Sequence, residues 1–180
     1  KADHKQMVEY SLRSAFVEPY LFSRKIELET TASASRKRFR GFDADIVRFS
    51  TEFSKSFFSF LVTSIKYQLE VIEQSDATDK TKDEGYFRIG SVTPSVGLDF
   101  TNSKARPTKG AYFGASWEFA NPKFYSMEKE DLTINFNKLI LRNKFYLPVT
   151  NDLVLALSLA GGVQRNFVVG HLVDSQTNQV

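Results

Sequence analysis

Four groups of side chains in this sequence have types and spacings that could do chemistry. His4 and His171 could ligate a metal or move a proton, but they stand near opposite ends of the chain, far from any other candidate ligand. Exposed loop or strand positions suit both better. Asp76, Asp79, Asp83 and Glu84 fall within "SDATDKTKDEGY" and could offer oxygens to calcium. Calcium takes about 6–8 oxygens in a set geometry, and this spacing is not the helix–loop pattern, so the stretch reads as a solvated loop. Gly161-Gly162 could admit a phosphate, yet no Lys-Ser/Thr and no helix follow it. A strand end where the backbone needs room fits it better. Arg36, Lys37, Arg38 and Arg40 form the one basic cluster. Arginine's planar fork suits phosphate, so contact with phosphate groups is its functional reading and a solvated turn its plainer one. None of these makes a catalytic, cofactor or metal site.

The other charges follow a different order. Glu9, Arg13, Lys25, Glu27, Glu29, Arg48, Lys66, Glu70, Asp99 and Glu118 fall at positions that alternate with apolar ones. Alternation of this kind is the mark of a half-exposed β-strand. From Phe57 the odd positions run Phe57, Ser59, Leu61, Thr63, Ile65, Tyr67, Leu69, Val71, against Ser64, Lys66, Gln68 and Glu70. That is roughly fifteen residues, where an ordinary strand has about 5–6. The pattern predicts eight strands, at 7–18, 24–35, 41–54, 57–72, 87–100, 110–121, 131–147 and 152–166. Near Lys138 the apolar phase slips from Leu132, Ile134 and Phe136 to Leu139 and Leu141, which predicts a bulge. Short connections make neighbours pair, so the expected fold is all-β, an antiparallel up-and-down meander in one unit over 1–180.

The hairpin "SVGLDFTNSKARPTKGAYFGASWEF" shows what the alternation separates. Val96, Leu98 and Phe100 share one face of its first arm, and Phe113, Ala115, Trp117 and Phe119 share one face of its second. Pro107 and Gly110 define the turn, and Asp99 falls on the opposite face. The connections form two alternating sets, and aromatics gather at both. Tyr20, Phe22, Phe53, Phe57, Phe58, Phe100, Phe145 and Tyr146 lie near one end. Phe39, Phe42, Tyr86, Phe87, Phe119, Phe124, Tyr125 and Phe167 lie near the other. Two aromatic belts around an aliphatic band describe the lipid-facing surface of a transmembrane β-barrel, and the charged face would then line a watery lumen. A soluble sandwich with Phe-rich strand ends is the alternative. Strand length and the repeated belts favour the membrane.

Bulk composition is consistent with this. The chain of 180 residues holds 17 Phe, yet its mean hydropathy is −0.29, as expected if apolar and polar residues are sorted onto opposite faces. No run reaches the roughly 18 apolar residues of a membrane helix. The net charge of +3 is scattered rather than gathered in a stripe, which argues against nucleic acid as a partner. The absence of cysteine excludes a disulfide framework and a cysteine metal site.

Three stretches, in order, resemble the BamA-like outer-membrane assembly barrels. "FVEPYLFSRKIELE" is similar to that family's strand, acidic-Pro-Tyr turn and strand. "GSVTPSVGLDFTNSKARPTKGAYFGASWEFA" is similar to its long hairpin, with Gly97, Leu98, Asp99, Pro107 and Gly110 in place, although Phe100, Thr101 and Asn102 stand where the family has Arg-Asp. "NKFYLPVTNDLVLALSLAGGV" is similar to its Tyr-x-Pro turn and glycine-rich strand exit. The resemblance implies the central strands of a larger outer-membrane barrel in a Gram-negative bacterium, one set of connections periplasmic and the other extracellular. It implies a non-enzymatic insertase without cofactors. Its implied partners are outer-membrane lipids and lipopolysaccharide, unfolded outer-membrane protein substrates and periplasmic accessory lipoproteins. A polypeptide-exporting barrel of the same superfamily and a small self-contained barrel are the alternatives.

Overall fold

Alternating apolar and polar residues can satisfy backbone hydrogen bonds and sort side chains only as paired strands. The computed structural model describes residues 9–23, 25–38, 43–75, 85–129, 132–150 and 153–167. The long strands are β1 (Tyr10–Glu18), β2 (Glu27–Arg38), β3 (Asp43–Ser56), β4 (Leu61–Ser75), β5 (Gly85–Asp99) and β6 (Gly110–Ala120). A two-residue pair follows, β7 (Glu128–Lys129) and β8 (Leu132–Thr133), and then β9 (Phe136–Pro148) and β10 (Val154–Asn166). The eight long strands form one antiparallel sheet in the order β1-β2-β3-β4-β5-β6-β9-β10. This is the meander expected from the alternation. Among the described residues no ladder joins β1 to β10, so the sheet is open at both edges.

Directly opposed residues of an antiparallel pair share a face, so register carries each face across the whole sheet. One tier runs Val17↔Glu29, Glu29↔Glu52, Glu52↔Lys66 and Lys66↔Thr93. Beyond β5 it continues as Glu118↔Lys138 and Lys138↔Gln164. The neighbouring tier, displaced by one residue, is apolar: Phe53↔Ile65, Trp117↔Leu139 and Leu139↔Val163. A slip of one residue anywhere would exchange the two faces.

Three expectations are corrected. No bulge occurs at Lys138: β9 keeps register with β6 and β10 straight through it. The phase slip instead marks a break. Leu132–Thr133 pair with Glu128–Lys129 outside the main sheet, and β9 starts at Phe136, on the face of Lys138 and Ile140. The turn between β3 and β4 is Phe57–Phe60 rather than 54–56; Phe57 N–H donates to Leu61 O at 3.0 Å. Its aromatics kept the alternation going past the true strand end. Finally, β2 runs through Arg38, so most of the basic cluster lies on a strand rather than in a turn.

Two local features shape the β5–β6 hairpin. Their register skips Thr93 and Pro94, where proline has no N–H to give. Gly110 has φ +111, and a Cβ there would lie 2.2 Å from Phe100 O, so only glycine closes the turn. No described helix is long and apolar enough to cross a membrane, which bears on helices alone.

Candidate functional site

The sheet has no soluble core. The buried apolar side chains among the described residues are Ala44, Ala120 and Met127. Most of the large strand side chains that are exposed lie on one face, Val17 being an exception: Leu12 is 70% exposed, Phe16 61%, Leu141 46% and Leu157 50%. Val47, Phe49, Phe53, Ile65, Val96 and Trp117 continue that surface across the sheet. A contiguous apolar area of this extent requires an apolar partner.

The apolar face ends, on the side of the β3–β4, β5–β6 and β9–β10 turns, in a row of touching rings. Phe58 stacks on Phe60 at 5.5 Å between centroids, and Phe60 on Phe100 at 5.4 Å. Phe100 meets Phe113 at 6.5 Å, and Phe113 meets Phe145 edge-on at 5.7 Å. Offset and edge-to-face pairs at these distances are the favoured aromatic geometries. Phe58, Phe100 and Phe145 belong to the belt expected from the sequence. Phe60 and Phe113 complete it, and only register reveals that they bridge neighbouring strands. Tyr146 leaves the belt, since Tyr146↔Gly110 sets it on the charged face. At the other end Phe87 likewise turns to the charged face, while Tyr86 stays on the apolar one. Phe39 and Phe42 lie outside the described residues.

The opposite face is concave and encloses about 650 Å³. Glu52, Lys66, Asp99, Glu118 and Arg142 line it, with Lys104 reaching in from the β5–β6 turn. Arg48 makes a bidentate pair with Glu70, both N–O distances 2.9 Å, and Arg13 lies 3.5 Å from Glu29. Of the charges expected to face a lumen, Arg13, Glu27, Glu29, Arg48, Lys66, Glu70, Asp99 and Glu118 share this face by register. Lys25 lies in the β1–β2 connection, and Glu9 accepts from Arg38 N–H at 3.1 Å beside the end of β2. Mixed signs at these spacings suit a watery surface and assemble no reactive group.

Within the concavity, Tyr112 lies across two opposed glycines. Gly97 pairs with Gly114, and a Cβ at either would come within about 3 Å of the Tyr112 hydroxyl. The ring covers backbone that glycine leaves bare, an arrangement that supports such positions in sheets. Alternation sets Tyr112 and Gly114 on one face of β6, and register brings Gly97 opposite.

Asp99 has a structural task. Its Oδ1 accepts from Thr101 N–H at 3.0 Å and from the Thr101 hydroxyl at 2.6 Å. Asn102 Oδ1 then accepts from Thr108 N–H at 3.0 Å and Lys109 N–H at 3.1 Å. The turn is thus closed by its own side chains, as a hinge of the wall rather than a site.

The basic cluster is divided. Arg36 and Arg38 fall on the apolar side of the sheet and Lys37 on the concave side, by alternation along β2. Arg36 donates to Asp45 Oδ2 at 2.8 Å, which commits its charge. Arg40, His4, His171, Asp76, Asp79, Asp83 and Glu84 lie outside the described residues. Gly161-Gly162 sits inside β10 rather than at its end. A Cβ at Gly162 would lie 2.9 Å from Leu139 O, so close backbone approach is its role.

At the far end of the β5–β6 hairpin, residues 121–127 fold against β5. Ser126 Oγ accepts from Gly90 N–H at 3.1 Å and donates to Gly90 O at 2.7 Å. Met127 N–H donates to Arg88 O at 2.7 Å, Arg88 Nε to Tyr125 O at 2.9 Å, and Tyr67 Oη to Phe124 O at 3.3 Å. The Ser126 and Met127 bonds satisfy β5 backbone that β6 is too short to reach, and the Arg88 and Tyr67 side chains tie down the segment's own carbonyls.

The Omp85 superfamily domain matches residues 4–178. Among solved structures, the chain is similar to BamA from Haemophilus ducreyi lacking POTRA domains 1–3, with a TM-score of 0.65 at 10% identity. That likeness covers 87% of this chain and 33% of the other, so the chain spans about a third of its length. No curated protein sequence gives a significant match.

Proposed function

The chain belongs to the Omp85 superfamily, and from that premise we propose that these strands are barrel wall of an outer-membrane insertase that folds and inserts other β-barrel proteins. The apolar convex face carries the membrane part of this reading. Its aliphatic side chains are exposed, a chain of aromatic rings ends it, and the mid-strand charges occupy the other face. This is the distribution that hydrocarbon outside and water inside demand. The insertase part is supported by the superfamily match and by the likeness of the fold to BamA.

No bond is made or broken in such a task, so no catalytic group is assigned. The partners we propose are lipid and lipopolysaccharide around the convex face, unfolded outer-membrane proteins as substrates, and periplasmic accessory lipoproteins. The connections at the aromatic-ring end would be periplasmic and the others extracellular. Depleting the full-length protein in its bacterial host tests the reading. The expected outcome is loss of many different folded barrels from the outer membrane. Loss of a single secreted polypeptide, with barrels intact, would refute assembly and indicate export. Recovery of the protein in the soluble fraction without detergent would refute the membrane placement itself.

A further inference from the structure

We propose that a shallow groove beside Lys55 on the apolar face holds one acyl chain of an anionic phospholipid, with the Lys55 ammonium on its phosphate. The proposal rests on the membrane reading above. The groove measures about 280 Å³; Ile26, Phe53, Phe57, Thr63 and Ile65 line it together with Lys55, Ser54 and Ser64. Pockets that enclose a whole small molecule run from about 300 to 1,000 Å³. This one, small and open along an exposed apolar surface, suits a segment of hydrocarbon chain.

Lys55 is a cation on that surface at its aromatic-ring end, whereas Arg36 and Arg38 stand at the opposite end of the sheet. Register places it opposite Thr63, in the same phase as Phe53 and Ile65, so it stands on the apolar side of the sheet. It comes second to last in β3, where the strand reaches the aromatic row. Its Nζ lies 4.9 Å from the centroid of Phe57, which holds the ammonium over the groove's rim. The three ion pairs among the described residues all lie elsewhere. At the same end of β1, the carboxylate of Glu18 accepts from Tyr20 N–H at 3.1 Å. A lysine at such a position runs its stem along apolar surface and sets its charge at headgroup level. A lipid phosphate is the group of opposite charge found at that depth.

One lysine near an anionic lipid surface accounts for about a fivefold preference. The test is native mass spectrometry of the full-length protein in detergent, with phosphatidylglycerol and phosphatidylcholine supplied in equal amounts. Wild type is expected to retain phosphatidylglycerol preferentially, and Lys55→Gln to lose that preference by about fivefold. Lys144→Gln makes the same charge change on the concave face and should leave it intact. Thr63→Phe, which fills the groove with Lys55 in place, should lower retention of both lipids. Equal retention of phosphatidylglycerol by wild type and Lys55→Gln would overturn the proposal, as would unchanged retention by Thr63→Phe. Stronger competition by lipid A than by phosphatidylglycerol would also overturn it, in favour of lipopolysaccharide. If the membrane reading itself were wrong, wild type would retain no lipid and would stay monodisperse without detergent.

Discussion

Arginine placed at Leu141 and at Ile140 should have opposite consequences, although the two residues are adjacent in β9. Leu141 lies on the apolar face between Ala115 and Gly161, about halfway along its strand. Ile140 points the other way, opposite Ser116 and Gly162, and lines the concavity near Arg142 and Glu118. An arginine facing lipid near the bilayer midplane costs about 2–4 kcal/mol, and one facing a watery lumen far less. Leu141→Arg should therefore lower the folding equilibrium roughly 30- to 900-fold, while Ile140→Arg should stay within about 1 kcal/mol of wild type. Urea titration of the full-length protein in lipid vesicles would read this, with the heat-dependent gel shift of folded barrels reporting the folded fraction. Vesicles of longer-chain lipid should leave the ordering unchanged, since both residues keep their faces. An Ile140→Arg defect equal to or larger than that of Leu141→Arg would refute the assignment of faces, and with it the membrane reading.

Two further outcomes follow from the bonds that hold the wall together. A Cβ at Gly90 would sit 1.7 Å from Phe124 O, so Gly90→Ala should push residues 121–127 off β5 and release the Ser126, Met127, Arg88 and Tyr67 bonds. Hydrogen exchange at Met127 N–H should then rise by at least tenfold, about 1.4 kcal/mol, the scale of one or two net hydrogen bonds; unchanged exchange would show that the segment is held by something else. Arg48→Glu should cost about 1 kcal/mol or less because the pair faces water, and the double variant with Glu70→Arg should recover most of it in the same urea titration. A loss that the double variant fails to restore would mean that packing, not charge, decides this position.

The fold was largely legible because its cause is local. A strand with lipid on one side and water on the other must alternate, and each of the eight long strands carries that record in its own residues. The separation of Arg13, Glu29, Arg48 and Lys66 from Leu12, Leu28, Val47 and Ile65 needed no knowledge of neighbours. Where the local record misled, aromatics were the reason. Phe57, Phe58 and Phe60 extend the apolar run of β4 but turn the chain, and Phe136 continues an apolar series while facing the charged side. Both errors arise because an aromatic serves equally on a lipid face, at a rim, or against backbone.

The sequence by itself determined the two faces, the eight strands, their meander order and the resemblance to an outer-membrane assembly barrel. Only the tertiary structure decided what depends on register between strands far apart in the chain. It set Tyr112 across Gly97 and Gly114, linked Phe58, Phe60, Phe100, Phe113 and Phe145 into one row, laid residues 121–127 against Gly90, and brought Lys55 to the rim of an apolar groove. Alternation repeats every two residues, so it identifies a face but not a partner. Which residue stands opposite which is set by turn lengths and by hydrogen bonding across the whole sheet, and no short stretch of sequence contains that information.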